Sequence, residues 1–163
     1  MQFRTSVTLL CLALVIGQVG TADAATDTAY AGNLSARFDS QRDAAKDLAD
    51  AIAMARAENK RIVVDVGGEW CIWCLRMDKF IRGNEQIQNA VKSSFIWVKI
   101  NYSEENDNQK VLAQFPKVKG YPHLFVLDKN GALLHSQDTS PLEQDKSYSA
   151  ERILDFLHEW SSH

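Results

Sequence analysis

The chain has 163 residues, of which 45% are hydrophobic, 24% charged and 9% aromatic, so it is neither disordered nor collagen-like. That length suits one domain with appendages and can bury enough surface to fold without a disulfide framework. A net charge of −3 and a pI near 5.8 exclude the basic footprint of a nucleic-acid binder.

Residues 1–24 have the layout of a secretory signal peptide. Arg4 supplies the positive start, Val7–Ile16 is a ten-residue apolar run, and Ala22-Asp23-Ala24 offers a small-x-small cleavage site with the cut expected after Ala24. The apolar run is too short to span about 30 Å of hydrocarbon as a helix. Residues 25–36 are small and polar and read as a flexible tether, which leaves 37–163 as the domain. With the leader removed no membrane span remains, and the expected location is periplasmic or secreted.

A helical period runs from Phe38 to Asn59, with Phe38, Ala45, Leu48, Ile52 and Ala55 recurring on one side. Arg61–Val66 is a short β-branched run, a buried strand, ended by Gly67-Gly68. From Trp70 to Arg82 the helical period returns, with Trp73, Cys74, Met77, Phe80 and Ile81 sharing a face. Asn84 can cap a short helix carrying Ile87 and Val91. Phe95–Ile100 is a second buried strand, Asn106–Phe115 a modest helix, and His123–Leu127 a third strand. The turn at 128–131 predicts a hairpin whose second arm is Ala132–Ser136. A polar loop spans 137–148, and Ser149 caps a last amphipathic helix that presents Ile153, Phe156 and Leu157. Strands alternating with helices, then a hairpin, predict an α/β fold: a central mixed sheet with helices on both faces.

The chemistry lies in Gly67–Met77. Removing the leader removes Cys11, so Cys71 and Cys74 are the two cysteines left, in a C-x-x-C at a strand-to-helix junction. Free N–H groups and the positive end of a helix dipole favour a thiolate at Cys71. Cys74 lies on the packed face and is the less accessible of the two. Cys71 is therefore the expected attacking nucleophile and Cys74 the resolving thiol that releases a mixed disulfide. A merely stabilising disulfide would gain little, because so small a loop costs little entropy to close. A zinc site from both cysteines with His158 and His163 fails on spacing: 83 residues separate Cys74 from His158, against roughly 12–15 in compact fingers. A cysteine hydrolase fails too, since the second thiol would trap the nucleophile in an oxidising compartment. No metal and no bound cofactor is expected.

Two charges interrupt apolar runs: Asp65 in IVVDV and Lys99 in FIWVKI. A lone buried charge costs several kcal/mol unless paired or neutralised, so the two are expected to answer each other across neighbouring strands, or else to reach a solvated sheet edge. Asp65 lies beneath the C-x-x-C and, with a raised pKa, could take the proton from Cys74. Pro122 opens the third strand, where it forfeits no ladder bond; the Tyr121–Pro122 bond is open to either isomer on the sequence.

These residues together resemble the thioredoxin superfamily over roughly 61–160. The match rests on V-D-V at 64–66, W-C-x-x-C at 70–74, V-K-I-N at 98–101 and G-Y-P at 120–122, in that order. The resemblance implies a thioredoxin-like three-layer sandwich. It puts Asp65 on the family's buried acid, Lys99 on its lysine partner, Pro122 on the cis-proline facing the disulfide, and Tyr121 on the residue whose backbone pairs with bound substrate. It also puts Trp70 and Trp73 at the substrate contact. Within the superfamily the chain is most similar to the exported group that includes the C-terminal domain of periplasmic thiol:disulfide interchange proteins. It departs in having Ile72-Trp73 between the cysteines, His123 after the proline, which is either an extra group near the disulfide or a simple strand-start residue, and the 137–148 loop.

The resulting expectation is an exported thiol-disulfide oxidoreductase acting on protein thiols and disulfides. Reduction is the favoured direction, with a membrane electron-transfer partner to recharge it. Two alternatives stand beside it: an oxidase or isomerase, and a non-enzymatic binding module that keeps the disulfide as decoration.

Overall fold

A computed structural model describes residue 2 and residues 34–161. The rest of the expected leader, Cys11 included, tether residues 25–33 and His163 lie outside the described residues.

The sheet is built from β1 (Arg61–Gly67), β2 (Phe95–Asn101), β3 (His123–Leu127) and β4 (Leu133–Asp138), in the order β2-β1-β3-β4. β1 and β2 run parallel; β3 is antiparallel to both β1 and β4. Parallel strands need a crossover, and here α2 (Ile72–Arg82) and α3 (Glu85–Ser94) supply it. These two helices and α5 (Ala150–Glu159) cover one face of the sheet, while α1 (Ala44–Glu58) and the single turn α4 (Gln109–Leu112) cover the other. The result is the expected three-layer mixed α/β sandwich.

Local chemistry explains the boundaries. α1 starts at Ala44 because the Asp43 carboxylate accepts from the N–H groups of Ala45 and Lys46. The expected helical start at Phe38 is therefore wrong by six residues, and Phe38 belongs to the irregular segment before the helix. α1 ends at Asn59, which takes the left-handed conformation at φ 52°. Asn84 and Ser149 cap α3 and α5 through side-chain oxygens, as their sequence positions predict. The helix expected over 106–115 shrinks to one turn because Asn108 is left-handed at φ 48° and its side chain is spent on the Asn101 carbonyl, 2.7 Å away.

The hairpin arm lies at Leu133–Asp138, displaced from 132–136 by an irregularity at Val126/Leu127. The 137–148 stretch is structured: a 3-10 turn (Ser140–Leu142) leads to a two-stranded ribbon, β5 (Glu143–Gln144) and β6 (Ser147–Tyr148). Leu142 and Tyr148 are buried with Met77 and Ile81 of α2 and Phe156 of α5, so this segment is part of the core. At the other end, Leu34–Ala36, expected as the last of a tether, are held against the sheet: Leu34 N–H donates to the Trp97 carbonyl at 2.9 Å and Ser35 is buried. Among the described residues no helix is long and apolar enough to cross a membrane.

Candidate active site

Cys71 is the N-cap of α2 and Cys74 lies in its first turn, so both sulfurs meet where β1 hands over to the helix. They form a disulfide, with Cα atoms 5.2 Å apart. The Cys74 N–H donates to Cys71 Sγ at 3.1 Å. A helix N-terminal amide aimed at sulfur stabilises negative charge there, which is the arrangement that lowers a thiol pKa. Neither cysteine is widely open: Cys71 is 5% exposed and Cys74 1%, so the expected order of accessibility is kept although both are nearly covered. Exposure is concentrated on their neighbours, Trp70 at 58% and Ile72 at 57%.

Aromatic rings frame the disulfide. Trp70 Nε1 donates to the Tyr102 carbonyl at 2.6 Å, and its ring meets Tyr121 edge-on at 5.6 Å. Tyr102 and Tyr121 stack at 5.0 Å. The Tyr121–Pro122 bond is cis, and the Pro122 carbonyl accepts from Thr139 Oγ1 at 2.8 Å. Trp70, Tyr121 and Pro122 thus gather at the disulfide end of the sheet. Beside Trp70 and Tyr102 opens a cleft of about 630 Å³, rimmed by Glu104, Glu105 and Asp107. Trp73 packs against the Cys71–Cys74 cluster and also meets Tyr148 edge-on at 5.8 Å; its carbonyl accepts from the Tyr148 hydroxyl at 3.2 Å, and the Arg76 guanidinium covers its ring at 4.6 Å. His123 is buried, with Nε2 2.9 Å from Ser136 Oγ, and burial lowers its pKa.

Beneath the disulfide, Asp65 and Lys99 are register partners on β1 and β2. Both are buried, which excludes a solvated sheet edge. They do not form the expected ion pair. The Lys99 ammonium, carried on its long stem, reaches α2 and pairs with Asp78, while also donating to the Ala36 carbonyl at 2.9 Å. Asp65 Oδ2 accepts from Trp97 Nε1 at 3.2 Å, and its Oδ1 is buried with no hydrogen-bond partner among the described residues. Burial pushes the Asp65 carboxyl up to about 7; the Lys99 charge and the Trp97 bond oppose this, and Asp78 adds to it. The cost of the buried acid is met by keeping its proton rather than by a paired cation.

Asp78 carried no mark in the sequence, since it is one of several charges on an amphipathic helix. Its role shows only once Lys99 reaches it and Arg82 Nε bonds its other oxygen at 2.6 Å. Phe38 was legible as apolar, but its place on the disulfide was not: it forms a small buried cluster with Cys71 and Cys74. Among the described residues no group of three or more His, Cys, Asp or Glu side chains is placed to hold a metal ion.

A parallel β1–β2 pair, an antiparallel β3 entered through a cis-proline, and a C-x-x-C capping the intervening helix are the marks of the thioredoxin class of fold. A thioredoxin-like family model matches residues 43–129, and the chain belongs to that family. Over 104 residues, 63% of this chain, it is 27% identical to the thiol:disulfide interchange protein DsbD of Colwellia psychrerythraea. That match covers 17% of the relative, so the chain spans a small part of the curated proteins it resembles. Among solved structures, a disulphide isomerase from Xylella fastidiosa Temecula1 superposes with a TM-score of 0.66 at 23% identity, covering 75% of this chain and 94% of that one. The oxidised C-terminal domain of Neisseria meningitidis DsbD superposes at 0.56 with 18% identity, covering 72% of this chain and 96% of that one. The family is thus one of thioredoxin-like disulfide oxidoreductases, and this chain carries its cysteine pair.

Proposed function

We propose that the protein is an exported thiol-disulfide oxidoreductase that reduces disulfides in other proteins. The observation that carries the reading is the Cys74 N–H donated to Cys71 Sγ at the start of α2. In the reduced protein this amide and the helix dipole hold Cys71 as a thiolate. The thiolate attacks one sulfur of a client disulfide; that S–S bond breaks, and one client sulfur leaves as a thiolate. Cys71 is now joined to the client in a mixed disulfide. Asp65 takes the proton of Cys74, whose thiolate attacks Cys71 Sγ, expels the second client sulfur and closes the Cys71–Cys74 disulfide. Two electrons pass to the client, and a dithiol donor must return them.

The buried carboxyl near neutrality supports the reductive direction, because it suits a proton acceptor working at that pH. Exposed Trp70 and half-buried Tyr121 form the surface for an extended client segment, with Pro122 buried next to Tyr121, while Trp73 supports the site through Tyr148. Lys99 is paired with Asp78 and acts on Asp65 through its charge, not through a hydrogen bond. The thiol:disulfide interchange name of its relatives and the leader-like layout of 1–24 support export with cleavage after Ala24 to the periplasm or beyond, where a membrane electron-transfer protein would recharge the dithiol.

A Cys74→Ser variant tests this directly. It should accumulate mixed disulfides through Cys71, visible as reductant-sensitive adducts on a gel, and a binding module would give none. The reduction potential decides direction: a value near about −270 mV supports reduction, and one near about −120 mV makes the protein an oxidant.

A further inference from the structure

The segment before α1 is bound at four points along its length. Leu34 N–H donates to the Trp97 carbonyl at 2.9 Å on the outer edge of β2. The Ala36 carbonyl accepts from Lys99 Nζ at 2.9 Å and from the Arg82 guanidinium. Phe38 N–H donates to Glu69 Oε1 at 2.8 Å, and the Ser40 carbonyl accepts from Asn106 Nδ2 at 2.9 Å. Glu69 stands two residues before Cys71, and Lys99 and Arg82 are both bound to Asp78. The strap is therefore tied to the groups that surround the disulfide.

Its central side chain is Phe38, only 3% exposed although it lies in no regular element. A Cβ placed on Gly67 would stand 2.5 Å from Cys74 Sγ and 3.1 Å from the Phe38 ring, so ring and sulfur crowd the same point at the end of β1. The ring centre lies 5.3 Å from Lys99 Nζ, within cation–π reach. Phe38 thus lies against both the resolving sulfur's cluster and the buried Lys99 ammonium. Gly67 is two residues beyond Asp65 on the same face of β1, so this ring closes the outer end of the row that holds the acid.

We propose that Phe38 is a positioning residue for thiol exchange: strapped across the end of β1, its ring seals water from the Cys74 sulfur and the Asp65 carboxyl. The groups that act on that carboxyl are Lys99 and the Trp97 indole N–H from β2, Asp78 from α2 and the Tyr148 hydroxyl from β6. Exclusion of water strengthens each interaction and makes the ionised acid costly. The same seal keeps Cys74 from reacting until a mixed disulfide forms beside it. The Lys99 ammonium is bonded to Asp78 and to the Ala36 carbonyl.

This inference rests on the thiol-exchange reading, but its test uses no client. In the reduced full chain, the Asp65 carboxyl is titrated by carbon NMR; in a Cys71→Ser background, Cys74 is alkylated with iodoacetamide. Phe38→Ala should lower the Asp65 midpoint by about one pH unit and speed Cys74 alkylation roughly tenfold. Phe38→Leu, which keeps an apolar plug, should restore both most of the way. Glu69→Ala frees the Phe38 N–H without touching the core and should move both readouts the same way by less. If Phe38→Ala leaves both unchanged, or if it fails to fold and Glu69→Ala leaves Cys74 alkylation at the wild-type rate, the proposal is overturned. A chain that exchanged no protein disulfides would defeat the functional reading alone, since neither readout involves exchange.

Discussion

The two faces of the sheet are made from the same strands and do different work. On the α1 side, β1 and β2 present Ile62, Val64, Val66, Ile96, Val98 and Ile100, and Ala51 and Ala55 let the helix lie close against them. That face holds a continuous apolar layer. On the α2 side the same strands present Val63, Phe95 and Trp97 at one end, then Asp65, Lys99 and Asn101 towards their carboxyl ends. Polarity is confined to where the parallel strands run out under the N-terminus of α2. Alternation along a strand, with its period of two, allows one segment to supply a dry core and a reactive floor at once. Stability and chemistry should then separate by face, and substitutions can break that separation or sharpen it.

The largest expected effect is on exchange alone. Cys71→Ser should reduce turnover with a protein disulfide on the order of 10⁴-fold or more, while urea unfolding shifts little, because the three-residue disulfide loop contributes little chain entropy. The mirror experiment uses the opposite face. Phe125 is fully buried and stacked on Phe115 at 4.7 Å, so Phe125→Ala should cost about 3–5 kcal/mol in urea unfolding. Its exchange rate per folded molecule should remain near wild type; a large loss would show that the faces are coupled.

Asp65→Asn should separate the two properties in opposite directions. With a folded-state pKa raised from 3.8 to about 7, the wild-type acid holds its proton in the folded protein where the unfolded chain has lost it. Its contribution to stability is fully present below about pH 4 and is lost as pH rises through about 7. At pH 8 the Asn variant should therefore unfold later than wild type, by up to about 4 kcal/mol at roughly 1.4 kcal/mol per pH unit, and the gain should vanish near pH 4. Exchange should slow at neutral pH. The smallest effect is at Gly67, where an added Cβ would stand 2.5 Å from Cys74 Sγ. Gly67→Ala should cost about 1–3 kcal/mol in thermal or urea unfolding, as sulfur and Phe38 ring give way.

Much of this was legible in the chain, and the gaps have physical causes. β-branched runs marked β1 and β2, and apolar periods marked α2 and α5, because buried faces leave strong patterns. The C-x-x-C placed both sulfurs correctly, since a strand–glycine–helix junction leaves few alternatives. The ribbon of β5 and β6 was invisible because two-residue strands carry no period, and its turn depends on Asp145 at φ 55°. Phe38 fitted the helical spacing that follows it, and only the cap at Asp43 reveals that it stands outside the helix. The Asp65–Lys99 pairing followed from strand adjacency, which the register bears out. Adjacency could not show that a lysine stem reaches past its register partner to Asp78, a residue distant in sequence and on another layer.

The central claim is that Cys71 is an activated, reachable thiolate at the head of α2, and alkylation of the reduced protein across pH tests it most directly. The account predicts that Cys71 reacts first, with a rate that reaches half its plateau about one pH unit or more below the roughly 8.5 of free cysteine. A midpoint at or above that of free cysteine, or reaction at Cys74 ahead of Cys71, would contradict it.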